Sequence, residues 1–334
     1  MATPVGYSQG DHPGVMSPSL LLTSCLFQNT PGPHVGLLAR AGLRTVPMRG
    51  PLPESELIAA LGDHDALLCD TDDITAAVLE TACPRLKVIS KVGASTRSID
   101  LEACKRHGVT VLTTSGVNHH AVAELTIGLI LALSRNIPSS AQALRAGLWV
   151  RDPGHELRDR RLGVVGLGRV GKEVARLGHA FGMRVAACCR SWPDEFAASL
   201  GIERAPNLAA LAARSDVLTL HPTLSPETIG MVDAEVLAAL PPGALLVNTS
   251  RAAVVDSRAL LAALESGHLG AYASDVPEPE PPDPDDPLIR HPRTLFTPHT
   301  GTFTVQSIPR LLVLAAENLV LFFGQQGQPK PRND

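Results

Sequence analysis

Arg161-Leu-Gly-Val-Val-Gly166-Leu-Gly168-Arg-Val-Gly171-Lys172 is the stretch on which the fold turns. The short apolar run 162–165 reads as a buried strand, and three glycines follow it at once with G-x-G-x-x-G spacing. A helical pattern opens behind them and runs to about Phe181. Glycines permit a tight turn and let backbone approach a pyrophosphate, whose charge a helix N-terminus stabilises. Gly166, Gly168 and Gly171, with Arg169 and Val170 between them, are therefore candidate dinucleotide contacts. A second strand over 184–188 completes the β-α-β unit, yet the acidic residue expected about 20 positions on is missing, and Cys189-Arg190-Ser191 stands there. With no carboxylate to bond the ribose hydroxyls and a guanidinium beside the site, the physics favours NADP(H) over NAD(H), with Arg190 and Ser191 as contacts.

The same alternation of short apolar runs and helix-length amphipathic segments extends in both directions, which predicts an α/β chain with parallel sheets. Downstream, strands are expected at 217–220, 244–248, 270–274 and 294–297, six in all with the first two, enough for a doubly wound Rossmann domain. Upstream, strands are expected at 20–27, 44–48, 66–69, 87–90 and 110–112, with helices such as 34–41, 54–61 and 101–107 between them. Long helical patterns cover 120–134 and 139–146, and a final helix covers 305–323. The first 18 residues, rich in Pro, Gly and Ser, read as a loose tail and not a signal peptide.

Composition agrees. A chain of 334 residues suggests two domains. A net charge of −4 argues against nucleic acid or an anionic membrane as the main partner, and no apolar run reaches the roughly 18 residues of a spanning helix. Aromatic residues make up only 3%, so the core must be built from Ala, Val and Leu, as buried parallel strands allow. Six cysteines without a CxxC predict neither disulfides nor zinc and fit a reducing cytoplasm. His119-His120 does not make a metal site either, because helix neighbours diverge by about 100°.

Three polar segments lie just past predicted strands, where open α/β sheets place their sites: Asn248-Thr-Ser-Arg251, Asp275-Val-Pro-Glu-Pro-Glu280 and Pro298-His299-Thr-Gly301. Arg, Glu and His form a usable set for hydride transfer to a 2-oxo acid. Arg251 would clamp the carboxylate and polarise the carbonyl, His299 would donate the proton, and Glu280 would hold the other ring N–H. His221, after strand 217–220, would face the cofactor with its ring or through the backbone at Pro222.

In order and spacing these segments resemble the D-isomer-specific 2-hydroxyacid dehydrogenases, over roughly residues 84–308. Lys87-Val-Ile-Ser-Lys-Val-Gly93, Ile99-Asp100, Gly116-Val-Asn118, Val122-Ala-Glu-Leu125 and Pro226-Glu-Thr228 carry the resemblance along with the dinucleotide turn. It implies a flavodoxin-like substrate domain (19–116 plus 304–334) and a dinucleotide-binding domain (117–303), hinged near 115–118 and 301–304, and a homodimer formed through 120–146. It also implies Arg251, Glu280 and His299 as the catalytic trio, Asp275 near the nicotinamide carboxamide, Thr228, Thr249, Ser250 and Gly301 along the cofactor, and Lys91, Val92, Gly93 and Ala94, with Arg251 and His299, around the substrate. The implied reaction interconverts a small polar 2-oxo acid and its D-2-hydroxy acid.

The chain departs from the family pattern in places. The substrate loop reads Gly93-Ala-Ser95-Thr-Arg97, where a Gly-x-Gly and an acid are usual; amides of Gly93 and Ala94 remain to bind a carboxylate. Ala252 follows Arg251 in place of Gly, and Pro277 stands where an aromatic wall is usual. Lys91 and Arg97 suggest a second anionic group on the substrate, such as phosphate or phosphonate, unless both are solvated surface cations. A dinucleotide-sensing protein and a phosphite-type dehydrogenase stay open as alternatives on the same scaffold.

Overall fold

The computed structural model describes residues 17–326, which divide into two compact units. Of the expected tail over 1–18, the first sixteen residues lie outside the described part, as do residues 327–334 of the expected substrate domain. One unit runs up to Asn118 and resumes at Val305; the other is His119–Thr304. Those limits fall one or two residues beyond the boundaries expected at 116/117 and 303/304.

The first unit holds a parallel five-stranded sheet of β1 (Ser19–Leu22), β2 (Arg44–Pro47), β3 (Ala66–Cys69), β4 (Val88–Lys91) and β5 (Thr110–Thr113), in the order β2-β1-β3-β4-β5. This is the flavodoxin-like order. β1, β3 and β4 are buried along their whole length, as in a parallel sheet covered on both faces, with Ser19, Ser90 and Lys91 buried among the apolar residues. The predicted strand 20–27 is too long. Cys25–Asn29 is a helix, because the Ser24 hydroxyl accepts from the Phe27 N–H at 3.0 Å while donating to the Asp70 carboxylate at 2.7 Å.

The C-terminal helix Ser307–Gln326 belongs to this unit and packs on the helix Pro33–Arg40 and on β4. Ser90 Oγ donates to the Ala315 carbonyl at 2.9 Å, and Leu312, Ala315, Ala316 and Leu319 are fully buried. By length and composition this helix could cross a bilayer, its 18-residue stretch Ser307–Gly324 having mean hydropathy 1.5, which corrects the expectation that no segment reaches that threshold. Its packing on the sheet accounts for the apolar face.

The second unit holds a parallel seven-stranded sheet: β6 (Arg161–Val165), β7 (Arg184–Cys188), β8 (Glu203–Arg204), β9 (Val217–Leu220), β10 (Ala244–Asn248), β11 (Leu269–Ser274) and β12 (Thr294–Phe296). The order β12-β11-β10-β9-β6-β7-β8 is doubly wound, reversing between β6 and β9. Six of these strands match expectation. β8, two exposed residues pairing with Ala186 and Ala187 at the sheet edge, is too short to leave a periodic signal. Aliphatic clusters fill both faces, and Tyr272 and Phe296 supply a rare aromatic pair, edge to face at 5.7 Å.

Candidate active site

The reversal point between β6 and β9 is where the glycine turn sits, and its geometry tests the dinucleotide reading. Gly166 has φ +89°, a region that disfavours side chains, and a Cβ there would fall 2.8 Å from the His221 carbonyl oxygen. A Cβ on Gly171 would overlap the Gly166 carbonyl oxygen, so helix and strand meet closely only with glycine. Gly168, by contrast, has nothing within 4 Å of a would-be Cβ. It opens the helix Arg169–Ala180 without a side-chain cap, leaving the first-turn amides to an anion from outside. These residues fit a pyrophosphate.

Flanking the turn, Gly166 N–H donates to the Cys188 carbonyl and His221 N–H to the Val165 carbonyl, both at 2.8 Å. Past β7, Cys189 Sγ turns back to the Ser191 carbonyl at 3.2 Å, while Arg190 and Ser191 are exposed. Past β9, the His221 ring keeps Nε2 2.9 Å from Thr219 Oγ1, and burial holds its pKa down to about 3, so the ring is neutral. Thr228 uses its hydroxyl within its own turn, accepting from Ser225 N–H at 2.8 Å, and Thr249 pairs with the buried Thr126 hydroxyl at 2.9 Å. Both expected cofactor contacts therefore also brace the loops that carry them.

The expected trio follows three neighbouring strands, β10, β11 and β12. After β10, the fully buried Asn248 accepts from Ser250 N–H at 3.0 Å and from Ser250 Oγ at 2.9 Å, and its amide donates to the Arg251 carbonyl at 2.8 Å. This fixes the turn that presents Arg251. Sequence reading assigns Asn248 no role, although an amide side chain ending an apolar strand is a usable signal. After β11, Asp275 is 2% exposed and both of its carboxylate oxygens are engaged. Oδ1 accepts from Thr297 Oγ1 at 2.5 Å and Thr300 N–H at 2.8 Å, and Oδ2 accepts from Gly301 N–H at 2.7 Å. A Cβ on Gly301 would lie 2.9 Å from that Oδ2, so glycine is needed for the approach.

Between these anchors His299 takes φ +52°, a left-handed conformation that a non-glycine residue holds only when its surroundings impose it. The ring's Nδ1 lies 2.9 Å from both oxygens of Glu280. A carboxylate can only accept, so Nδ1 carries the proton and Nε2 is the atom left for acid–base exchange. The His299 and Glu280 side chains are 44% and 47% exposed, which leaves room for a ligand.

In the first unit, the loop expected to bind the substrate is largely engaged with its own surroundings. Val92 N–H donates to the Cys69 carbonyl at 2.9 Å, and Gly93 N–H donates to Thr114 Oγ1 at 2.7 Å. The Gly93 amide is thus unavailable to a substrate carboxylate, contrary to expectation, while Ala94 is exposed. Lys91 is 7% exposed and its ammonium donates to the Asp70 carbonyl. It sits beside a carboxyl group whose pKa burial pushes up, and it is not a solvated surface cation.

Pro277 also departs from expectation. With Val276, Tyr272, Leu288, Ile289 and Phe296 it lines a cavity of about 370 Å³, and none of Arg251, Glu280 or His299 lines it. Pro277 thus faces this cavity, which Ala252 and Ala253 beside Arg251 also line.

Residues 127–301 match the family model for the D-isomer specific 2-hydroxyacid dehydrogenase, NAD binding domain. The chain is 36% identical over 271 residues to the D-3-phosphoglycerate dehydrogenase of Methanocaldococcus jannaschii, covering 80% of this chain and 51% of that protein. It is 37% identical over 290 residues to the glyoxylate reductase of Aeropyrum pernix, covering 84% of this chain and 86% of that one. The crystal structure of the TT0316 protein from Thermus thermophilus superposes with a TM-score of 0.82 at 36% identity, covering 94% of this chain and 98% of the other. The chain spans about half the length of the D-3-phosphoglycerate dehydrogenases it matches. Glycine turn, doubly wound sheet and these similarities together place the chain in the D-isomer specific 2-hydroxyacid dehydrogenase family.

Proposed function

We propose that this chain interconverts a small polar 2-oxo acid and its D-2-hydroxy acid with a nicotinamide dinucleotide. The carrying observation is the His299–Glu280 pair, held on a left-handed backbone position past β12, with Arg251 past β10 at the same C-terminal end of the parallel strands. The bound nicotinamide would supply the hydride to the carbonyl carbon in reduction and take it back in oxidation. His299 Nε2 gives its proton to the carbonyl oxygen, Glu280 holds the ring through Nδ1 and stabilises the cationic form, and the Arg251 guanidinium pairs with the substrate carboxylate and polarises the carbonyl. Gly166, Gly168 and Gly171 hold the pyrophosphate. Exposed Arg190, with no acid at 189, supports NADP(H) as the preferred dinucleotide.

Because Lys91 is tied to Asp70, it lends no support to a second anionic group, and the proposed substrate is a small acid with one carboxylate. Glyoxylate, pyruvate, hydroxypyruvate and a phosphorylated 2-oxo acid, each with NADH and NADPH, test the reading. Turnover of the small acids to D-products is expected; no turnover with any of them overturns it.

The working unit we propose is a homodimer. The helix Ile137–Arg145 has no buried residue, and its Leu144, with Leu148 and Trp149 just after it, exposes apolar surface, Trp149 to 80%. Large exposed apolar side chains so close together in sequence support a protein partner, and closed twofold pairing is the commonest way to cover them.

A further inference from the structure

The nucleotide end of the glycine turn has two lips, one past β7 and one past β9. Gly166 is hydrogen-bonded to the end of β7 through Cys188, and β6 is hydrogen-bonded to the end of β9 through His221. The residues just past those two strands therefore stand on either side of the turn. Arg190 is on the β7 lip, two residues beyond Cys188. On the β9 lip, Ser225–Thr228 forms a compact turn in which Thr228 N–H donates to the Ser225 carbonyl at 2.9 Å and the Ser225 hydroxyl donates to Glu227 Oε2 at 2.5 Å. Glu227 is exposed on this turn, its carboxyl held below the usual range first by the Ser225 hydroxyl, then by its own backbone N–H, with a contribution from the Arg190 charge.

We propose that Glu227 is a specificity-determining residue for the nucleotide: a carboxylate on the β9 lip that opposes a 2′-phosphate at Arg190 and partly restores the discrimination absent at Cys189. The proposal rests on the dinucleotide reading of the glycine turn. In an ordinary Rossmann site one acidic residue at the end of the second strand both bonds the ribose hydroxyls and repels the extra phosphate. Here the two signs are divided between two loops. Arg190 attracts the 2′-phosphate, and Glu227 repels it and competes for the guanidinium. Both groups face water, so the opposition is modest and falls as salt rises.

Binding of the adenosine halves alone isolates this effect from chemistry. Dissociation constants for ADP-ribose and 2′-phospho-ADP-ribose would be measured by calorimetry for the wild type, Glu227→Gln and Arg190→Gln at low and high salt. Glu227→Gln is expected to tighten 2′-phospho-ADP-ribose roughly threefold to tenfold at low salt, less at high salt, with ADP-ribose changed by less than about twofold. Arg190→Gln should weaken the phosphorylated compound selectively. An unchanged ratio in Glu227→Gln, with both compounds binding, overturns the role of Glu227 and leaves the dinucleotide site standing. Failure of the wild type to bind either compound overturns the dinucleotide reading and this inference together.

Discussion

The buried carboxylate of Asp275 accepts the backbone N–H of Gly301 at 2.7 Å, and with Thr297 and Thr300 it closes a clamp around His299. The family resemblance alone gave Asp275 a place near the nicotinamide; the structure adds a second task, holding a left-handed histidine in position. Asp275→Asn keeps the size but turns an amide N–H₂ toward one of two backbone donors, Thr300 N–H or Gly301 N–H. Loss of charged hydrogen bonds at a buried position should cost about 1–3 kcal/mol of stability. The displaced ring should lower kcat by roughly 10- to 100-fold. Urea unfolding and steady-state kinetics check both, and an undiminished kcat would show that the clamp does not position His299.

His299→Asn removes the proposed proton donor and leaves the glycine turn intact. A fall in kcat of about 10²–10⁴ is expected, with dinucleotide affinity unchanged. Glu280→Gln still accepts from Nδ1 but loses its charge, so its kcat should lie between those of the wild type and His299→Asn. If both variants lost dinucleotide binding as well, the trio would be structural.

The glycine turn and the three strand-end segments could be read from sequence because their chemistry is local, each being a few residues beside an apolar run. What could not be read depends on partners far away in the chain. Residues 25–27 look like strand until Asp70 is seen engaging Ser24. Lys91 looks like an open cation until the Asp70 carbonyl receives it. Gly93 keeps its place in the motif, yet Thr114 takes its amide. The roles of Asp275 and Asn248 in bracing the site were hidden for the same reason, since a carboxylate or amide at a strand end does not announce which loop it will hold.

His221 predicts a specific pH dependence. Its folded pKa of about 3 lies below the ordinary histidine value of 6.5, so between those values the unfolded chain binds more protons and stability falls as pH drops. Above about pH 6.5 the effect vanishes. At about pH 5.5 the loss should be about 1 kcal/mol, and somewhat less because the residue is only half-buried. His221→Gln should show a smaller loss than the wild type when urea midpoints at about pH 7.5 and 5.5 are compared. Equal losses would mean that His221 ionises freely in the fold.

The apolar surface at Leu144, Leu148 and Trp149 gives the dimer proposal its handle. A large exposed indole is the kind of residue that dominates an interface when covered. Sedimentation of the wild type should give a dimer, and Trp149→Asp combined with Leu148→Asp should shift it to monomer without unfolding, since neither side chain contributes to a core. A wild type that sediments as a monomer at micromolar concentration excludes this surface as a stable interface.

Pro277 separates two accounts of why this chain lacks the family's aromatic at that position. If the aromatic formed a wall beside the substrate, Pro277→Phe would narrow the pocket and raise KM for bulky acids such as phenylpyruvate relative to glyoxylate. The structure instead puts residue 277 on the cavity of about 370 Å³ lined also by Tyr272, Leu288 and Phe296, which none of the trio lines. Filling that space should gain about 1–2 kcal/mol of apolar burial, offset by about 0.5–1 kcal/mol because the unfolded chain regains the freedom proline denied it. A net rise of about 2 °C in Tm is expected, with the KM ratio for the two acids changed less than about twofold. A stable variant whose KM for phenylpyruvate alone rises would return residue 277 to the substrate side of the loop.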